Sequence, residues 1–302
     1  PADENVYIMF TSGSTGTPKG VQVTRKNLQS FLNNMMEFID FEPGYISAQV
    51  HDLSFDFSVF QVFFPMITGG TNCVVPEEEK FCPSDFIIRE EINLWSSVPT
   101  IAEMMNKLSA LEAASFPSLK YSIFCGEPLH QKTADAWMLA APNSTVENYY
   151  GPTETTVFVS RYVYMETDSA RKFHNNIVPI GKPFTDHQMV LIDEENKVVG
   201  KKEVGEIAIS GSQVAKGYLN EPEKTQSVFV YMPCDSSDSI WYKTGDLAKY
   251  NESGNLEYVS RKDNQIKFAG RRIEIGEIES ILRGKIKGED AVVVPHRDDS
   301  GI

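Results

Sequence analysis

A segment near the start of the chain has the composition of a phosphate-binding loop. Residues 11–20 (TSGSTGTPKG) contain three glycines, which let a backbone turn sharply and approach a ligand closely. Successive loop amides can form an anion-binding nest, and Lys19 adds a positive charge. A Walker A loop would need Gly-Lys-Ser/Thr, whereas here Pro18 precedes the lysine, and a flexible polar turn is the alternative. The hydroxyl donors in this segment include Thr11, Ser12, Ser14 and Thr15.

A second polar segment follows a predicted strand. In residues 148–156 (NYYGPTETT), a Gly-Pro pair favours a tight turn. Tyr150 can then present a flat aromatic face to a base, and Thr153 can bind a phosphate oxygen. Glu154 supplies the carboxylate oxygen that suits Mg²⁺. The alternative is an ordinary turn that carries a surface glutamate.

Two further segments lie downstream in a fixed order. Residues 242–246 (YKTGD) end in Asp246, a carboxylate beside a glycine turn that can accept hydrogen bonds from two ribose hydroxyls. Arg261 offers a guanidinium to phosphate or ribose. Taken singly, Asp246 is also typical of a turn and Arg261 of a solvated charged loop.

The ordered set of these segments resembles the adenylate-forming superfamily, which includes acyl-CoA synthetases, luciferases and the adenylation domains of nonribosomal peptide synthetases. The resemblance covers almost the whole chain. Residues 55–58 (FDFS) favour the amino-acid-activating branch, in which an aspartate at the position of Asp56 pairs with the substrate ammonium group. A carboxylate among phenylalanines is costly unless a cation neutralises it. The alternative is that Asp56 caps the following helix.

The resemblance implies a two-step reaction with ATP and Mg²⁺. An amino-acid carboxylate attacks the α-phosphate to give an aminoacyl-AMP, and the phosphopantetheine thiol of a carrier protein then takes the acyl group. Thr153, Glu154 and Lys19 are the expected catalytic residues, with Glu154 on the metal and Asp263 at a hinge. The residues that the resemblance assigns to ATP are Thr11, Ser12, Gly13, Ser14, Thr15, Lys19, Asn148, Tyr149, Tyr150, Gly151, Pro152, Thr153, Asp246, Tyr258 and Arg261.

The resemblance also implies a substrate pocket crowded by aromatic rings, which predicts a small amino acid such as alanine or glycine. Residues 95–97 and 124–127 look like the matching segments of D-alanine–D-alanyl carrier protein ligases. An aromatic amino acid stays open, because aromatic walls can rotate and stack on a flat substrate. The pocket positions are Asp56, Phe57, Phe60, Ser96, Ile123, Cys125, Tyr149, Val157 and Phe158.

Two other functions stay open at this point. One is an AMP-forming acyl-CoA synthetase for a plain carboxylic acid, against which Asp56 argues. The other is a nucleotide-binding module without catalysis. The resemblance places the family's lid lysine beyond Ile302 and the first part of its core before Pro1, so we expect weak activity from this polypeptide alone.

Alternating helical and strand patterns predict an α/β fold of the adenylate-forming type, with most of the C-terminal lid absent. Thr24 is a predicted helix cap, and a second helix is predicted to start at Thr100 with Glu103 in a capping box. Strands are predicted at 121–124, 145–149, 157–159, 189–192, 206–210 and 256–259. The predicted organisation is an α/β ATP- and substrate-binding core at 1–180, a smaller β-rich subdomain at 181–260, and a hinge with the start of the lid at 261–302.

Composition narrows the function classes further. The 302 residues carry a formal net charge of −14, which argues against a nucleic-acid partner because such a partner requires a basic face. No apolar run is long enough to span a bilayer, so no membrane partner is expected. The four cysteines lack metal-binding spacing, which excludes a typical zinc site and fits a cytoplasmic location.

Overall fold

Strands and helices alternate through the first half of the chain, as the sequence predicts. The computed structural model describes residues 2–12, 18–232, 239–263, 265–268 and 271–275, with a few isolated positions between 278 and 294. Its helices are α1 (Arg25–Phe38), α2 (Phe57–Thr68), α3 (Ser84–Arg89), α4 (Pro99–Lys107), α5 (Gln131–Ala140) and α6 (Pro222–Val228). Its strands are β1 (Asn5–Thr11), β2 (Lys19–Thr24), β3 (Ile46–Gln49), β4 (Thr71–Val74), β5 (Leu94–Ser97), β6 (Tyr121–Phe124), β7 (Thr145–Tyr150), β8 (Ser160–Tyr164), β9 (Lys182–Pro183), β10 (His187–Ile192), β11 (Gly205–Gly211), β12 (Phe229–Tyr231), β13 (Ile240–Tyr250), β14 (Leu256–Arg261), β15 (Gln265–Phe268) and β16 (Arg271–Glu274).

The larger sheet has seven strands in the order β4-β3-β5-β6-β7-β8-β9. The pairs from β4 to β7 are parallel, whereas β8 and β9 are added antiparallel. Helices α2 to α5 connect the parallel strands, as parallel pairing requires. The α/β prediction is therefore confirmed. Because β3, β5, β6 and β7 run in the same direction, the loops that follow them meet at one edge of the sheet.

A second, antiparallel sheet contains β10, β11, β13 and β12, with β14 also paired to β13. It contacts the first sheet through the bridge between Gly181 and Leu256. The β1–β2 hairpin joins the same assembly through a bridge from Val21 to Tyr218. Among the described residues, no helix is long and apolar enough to cross a membrane. The predicted subdomain boundaries stay a prediction.

The predicted start of α1 is confirmed in detail. The Thr24 hydroxyl accepts a hydrogen bond from the Asn27 backbone amide at 3.2 Å, and the Asn27 side chain accepts one from the Thr24 amide at 2.9 Å. This reciprocal capping box fixes where the chain turns from β2 into the helix. The buried face of α1, which includes Phe31 and Met35, then packs on α2 beneath the larger sheet.

Two local predictions are wrong. Helix α4 begins at Pro99, not Thr100, and Glu127 rather than Glu103 binds the Thr100 amide, at 3.1 Å. Residues 157–159 are not a strand, because Val157 has a φ of +69° and the Gln213 amide binds the Phe158 carbonyl at 2.6 Å. The Gln213 side chain thus takes the place of a neighbouring strand as the hydrogen-bond partner of this backbone. The strand β8 starts only at Ser160.

Candidate nucleotide and substrate site

A cavity of about 630 Å³ lies where the larger sheet meets the β1–β2 hairpin and the second sheet. One wall is formed by the residues that follow the parallel strands β3, β5, β6 and β7. The opposite wall includes Thr11 and Ser12 from the hairpin, and Asp246 and Arg261 from β13 and β14. The wall residues that follow the parallel strands include Val50, His51, Val98, Cys125, Gly126, Gly151, Pro152 and Thr153.

Asp246 is the centre of a hydrogen-bonded network in one part of the cavity, which we call the nucleotide end after the role predicted for Asp246 from the sequence. Its carboxylate accepts a hydrogen bond from the Tyr150 hydroxyl at 2.7 Å and one from Arg261 Nη1 at 3.0 Å. Asp246 is only 1% exposed, so the charge of Arg261 offsets the cost of burying it. Each carboxylate oxygen can accept more than one hydrogen bond, so Asp246 keeps acceptor capacity toward the cavity.

The Arg261 guanidinium ties this network to the segment beyond β14. It donates two hydrogen bonds to Asp263, from Nε at 2.9 Å and from Nη2 at 2.6 Å, and a third to the Thr244 carbonyl at 2.8 Å. Burial acts to lower the pKa of Arg261, but the carboxylates of Asp246 and Asp263 raise it well above its usual range. Gly245, at a φ of +74°, leaves room for Arg261, because a Cβ there would lie 2.7 Å from Nη2.

Tyr150 is buried, and it contacts Asp246 through its hydroxyl rather than lining the cavity. Burial first, and then the Asp246 carboxylate, raises the pKa of Tyr150 well above its usual value, so its hydroxyl donates at any physiological pH. Asn148 is buried nearby and donates to the carbonyls of Val178 and Pro179, both at 3.0 Å. Its Oδ1 finds no hydrogen-bond partner in the part of the chain that the structure describes.

Glu154 and Lys19, two of the expected catalytic residues, lie behind the cavity wall. Glu154 is fully buried and accepts a hydrogen bond from the Tyr218 hydroxyl at 2.7 Å. Lys19 Nζ lies 4.9 Å from the centre of the Tyr218 ring. Burial, followed by the charge of Glu154, raises the pKa of Tyr218 far above its usual value, which keeps this hydroxyl a donor. The structure therefore brings Lys19 and Glu154 to one tyrosine.

Asp56, at the start of α2, lines another part of the cavity, which we call the acid end after the amino-acid substrate that the sequence predicts there. It is 7% exposed, and its side chain makes no capping hydrogen bond to the helix. The structure thus argues against the capping role. Burial, and then the charge of Asp56, raises the pKa of Tyr7 well above its usual value. The predicted pocket residues that share the cavity with Asp56 are Phe57, Cys125, Val157 and Phe158.

Four predicted pocket residues are packed into the core instead of lining the cavity. Phe60, Ile123 and Ser96 are completely buried, and Tyr149 is 2% exposed. The Ser96 hydroxyl accepts a hydrogen bond from Gln61 Nε2 at 3.0 Å. Among the expected nucleotide ligands, Tyr258 packs beside the core of the second sheet, whereas Gly13, Ser14 and Thr15 lie outside the described residues.

Sequence reasoning missed several residues at the acid end, of which His51 is the most informative. It lies two residues after the end of β3 and lines the cavity with Asp52 and Lys80. Lys80 Nζ pairs with Asp52 Oδ1 at 3.1 Å and with Glu77 Oε2 at 2.7 Å. The sequence could have indicated His51 only by its position after a strand, because residues that follow parallel strands lie together at one edge of a sheet.

The AMP-binding enzyme family matches residues 1–219. The chain belongs to this family. A D-alanine–D-alanyl carrier protein ligase of Bacillus cereus (strain G9842) is 36% identical over 296 residues, which are 97% of this chain and 57% of the ligase. The chain thus spans just over half the length of this curated relative.

Solved adenylation domains share the fold. The Vibrio cholerae adenylation domain AlmE in complex with glycyl-adenosine-5'-phosphate gives a TM-score of 0.91 at 34% identity, covering 100% of this chain and 56% of that one. Holo-PA1221, an NRPS protein containing adenylation and PCP domains bound to a vinylsulfonamide inhibitor, gives a TM-score of 0.85 at 28% identity, covering 100% and 51%. The resemblance seen in the sequence is confirmed.

Membership of the AMP-binding family agrees with the polar atoms around the nucleotide end. Thr11 lines the cavity, and its hydroxyl is buried without a hydrogen-bond partner among the described residues, as is Oδ1 of Asn148. Buried polar groups in proteins are almost always paired. The Thr11 hydroxyl therefore fits a ligand with acceptor oxygens such as those of phosphate, whereas Asn148 does not line the cavity.

Proposed function

We propose that this chain provides the nucleotide- and substrate-binding part of an enzyme that activates a small amino acid with ATP. The product is an aminoacyl-AMP, and a carrier-protein phosphopantetheine thiol then receives the aminoacyl group. The observation that carries the proposal is one cavity with two chemically distinct ends. A buried carboxylate, Asp56, lies at one end, and the Tyr150–Asp246–Arg261 network lies at the other.

The proposed first step joins the two ends. An oxygen of the amino-acid carboxylate forms a bond to the α-phosphorus of ATP while the bond to the bridging oxygen of pyrophosphate breaks. Asp56 pairs with the ammonium group and so fixes the direction of the carboxylate. Arg261 and the Thr153 hydroxyl offset negative charge near the α-phosphate, and Asp246 holds the ribose hydroxyls. No covalent enzyme intermediate is needed, so the rate depends on positioning and charge neutralisation.

Mg²⁺ belongs to this proposal as the partner of the triphosphate, with Glu154 as its predicted carboxylate ligand, but Glu154 is fully buried and does not line the cavity. Mg²⁺ commonly takes one or two carboxylates together with phosphate oxygens and water, and a glutamate offers that donor chemistry. The described residues contain no cluster of three acidic, histidine or cysteine side chains that could hold a metal by themselves. Bound Mg²⁺ would neutralise part of the triphosphate charge. Tyr218 holds Glu154 in place by a hydrogen bond of 2.7 Å.

The relatives support the small size of the substrate and the carrier partner. One is named for D-alanine and a D-alanyl carrier protein, one was solved with glycyl-adenosine-5'-phosphate, and one contains adenylation and PCP domains. The chain spans 51–57% of these proteins, so the activity, the substrate and the partner are proposals for the whole protein. The absence of nucleic-acid and membrane partners and the cytoplasmic location stay predictions.

Amino-acid-dependent exchange of pyrophosphate into ATP tests this function. The natural protein that carries this chain is incubated with each amino acid, and with fatty and aryl acids as controls. We expect exchange with small amino acids and none with acids that lack an α-ammonium group, because those acids lack the cation that Asp56 would bind. Exchange with a fatty or aryl acid alone would favour the acyl-CoA synthetase, and no exchange would favour a non-catalytic nucleotide-binding module.

A further inference from the structure

His51 lies beside the residues that flank Asp56. Its ring stacks on the Phe57 ring at a centroid distance of 4.9 Å and meets the edge of the Phe55 ring at 5.0 Å. His51, Phe55 and Phe57 all line the cavity, as Asp56 does. The imidazole is thus part of the acid end, close to where the ammonium group of a substrate would be held.

A side-chain hydrogen-bond chain fixes the backbone of His51. Gln61 Oε1 accepts hydrogen bonds from the amides of His51, at 3.0 Å, and Val50, at 3.2 Å. Gln61 Nε2 in turn donates to the Ser96 carbonyl at 2.8 Å and to its hydroxyl at 3.0 Å. Ser96, predicted as a pocket wall, instead acts through Gln61 to hold His51. Residues that recognise ligands need neighbouring residues to fix their position by hydrogen bonds of this kind.

The imidazole itself has unmet hydrogen-bonding capacity. His51 Nε2 is buried, and no described residue is within hydrogen-bonding reach of it. Burial, opposed by Asp52 and aided by Lys80, lowers the pKa of His51 to about 3, so the ring is neutral at physiological pH. A neutral imidazole has one donor and one acceptor nitrogen. A half-turn about its Cβ–Cγ bond exchanges ring nitrogens with ring carbons, so either edge can present a nitrogen.

We propose that His51 is a specificity-determining residue that hydrogen-bonds a hydroxyl on the side chain of the substrate. The substrate class is then a small hydroxyl-bearing amino acid of the serine type rather than alanine or glycine. A hydroxyl both donates and accepts, so it matches either tautomer of the neutral ring. This inference rests on the proposed amino-acid activation.

An imidazole in the cavity wall favours a substrate with a polar side chain. A site that hydrogen-bonds a substrate hydroxyl discriminates strongly against the analogue without it, because the protein group is left unpaired. An apolar pocket discriminates much less between a methyl and a hydroxymethyl group. His51 is therefore a feature of the acid end that can distinguish serine from alanine, while Phe57, Cys125 and Phe158 limit size.

The test measures binding of non-reactive aminoacyl-adenylate analogues by isothermal titration calorimetry. Seryl-, alanyl- and glycyl-sulfamoyl adenosine are compared with adenosine 5'-sulfamate, in the 302-residue chain and in the natural protein that carries it. We expect the seryl compound to bind at least about tenfold more tightly than the alanyl compound. His51→Phe, which keeps the ring stack, should reduce that ratio below about twofold with little change for the alanyl compound.

Met104→Leu is the matched control, since Met104 lines the same cavity with an apolar side chain, and it should preserve the wild-type ratio. A seryl-to-alanyl preference below twofold in the wild type, or one that survives in His51→Phe, would overturn the role of His51. If His51→Phe does not fold, the seryl-to-alanyl affinity ratio is measured for His51→Asn, which keeps a polar side chain. Comparing that ratio with the wild-type ratio then decides whether His51 recognises the hydroxyl. Failure of every aminoacyl analogue to bind more tightly than adenosine 5'-sulfamate would instead overturn the proposed function.

Discussion

The two ends of the cavity differ in how their polar groups are paired. At the nucleotide end, Tyr150, Asp246 and Arg261 come from three strands of two sheets and are joined by hydrogen bonds of 2.7 and 3.0 Å. At the acid end, the ring of His51 is held between aromatic rings, and its Nε2 has no partner among the described residues. The Tyr150–Asp246–Arg261 network is paired within the protein, whereas the His51 ring keeps a nitrogen that no described residue binds.

This difference indicates how the two ends recognise their ligands. The nucleotide is the same in every turnover of the proposed reaction, so a preorganised network can bind it without rearrangement. The amino acid must be selected among similar molecules, and selection is sharpest where a protein group stays unpaired with the wrong one. Stability and specificity are therefore expected to respond differently to substitutions at the two ends.

The largest effect is expected at the nucleotide end. Asp246→Asn removes the charge that pairs with Arg261, whose side chain is 11% exposed against 2% for Asp246. Breaking a buried pair is strongly destabilising, and because Asp263 still pairs with Arg261 we expect a loss at the lower end of the usual range, about 3 kcal/mol in the free energy of unfolding, measured by urea denaturation. Asp263→Asn is the matched control, because Asp263 binds the same guanidinium but its side chain is 44% exposed.

The control should cost less than about 1 kcal/mol, as exposed ion pairs do. Equal losses for Asp246→Asn and Asp263→Asn would show that the nucleotide end is not a preorganised buried network. The proposed difference between the two ends would then lack its basis at the nucleotide end.

At the acid end, the buried imidazole should make stability depend on pH. The pKa of His51 is lowered from 6.5 to about 3, so below pH 6.5 the unfolded chain binds a proton that the folded chain does not. The contribution of His51 to stability therefore falls as pH decreases, by about 2 kcal/mol between pH 7 and pH 5. Urea denaturation of wild type and His51→Phe at both pH values isolates the contribution of His51 to the free energy of unfolding.

The variant should lose less stability than the wild type over this interval, since it has no imidazole to protonate. Identical pH dependences would mean that His51 is not held neutral by burial. Asp52 and Lys80 are unchanged in both proteins, so their contributions cancel in the comparison.

The smallest effect concerns the wall of the acid end formed by α4. Glu127 Oε2 accepts hydrogen bonds from the Thr100 amide at 3.1 Å and from its hydroxyl at 2.5 Å, and so caps the helix from outside. Glu127→Ala should cost about 1 kcal/mol in the free energy of unfolding. Glu112→Ala, at an exposed position, is the control and should cost less than about 0.5 kcal/mol.

A second measurement sharpens this prediction. Burial, and then the charge of Glu127, raises the pKa of Glu103 to about 6. In Glu127→Ala an NMR titration should find the pKa of Glu103 closer to its ordinary value of 4.5. An unchanged pKa would place Glu127 too far away to act on this wall.

The functional predictions made from the sequence depend on local spacing; the Thr24 cap is confirmed, and the functional roles stay predictions. Residues 11–20, 148–156 and 242–246 each carry their chemistry within a few positions, and Thr24 caps its helix through Asn27 three residues later. Asp56 was predicted in the same way, because the FDFS segment places a carboxylate among aromatic residues, and the structure places it at the cavity. These predictions required no knowledge of the tertiary structure.

What the sequence could not provide depends on long-range contacts. Glu127 caps a helix that begins 28 residues earlier at Pro99, and Gln213 satisfies backbone carbonyls near residue 156, so propensity predicted the wrong helix start and an extra strand. No role was predicted for His51 from the sequence, because a single histidine forms no local sequence pattern. Its place at the cavity follows only from the parallel order of β3, β5, β6 and β7.

The central claim is that Asp56 pairs with the ammonium group of an aminoacyl adenylate, and a double-mutant style comparison tests it most directly. The dissociation constants of alanyl-sulfamoyl adenosine and of its propionyl analogue, which lacks the ammonium group, are measured for wild type and Asp56→Ala. The account predicts that wild type prefers the alanyl compound by about 30-fold or more, that Asp56→Ala loses this preference, and that AMP binds both proteins equally. An equal loss of affinity for AMP, or an alanyl preference that persists without Asp56, would contradict it.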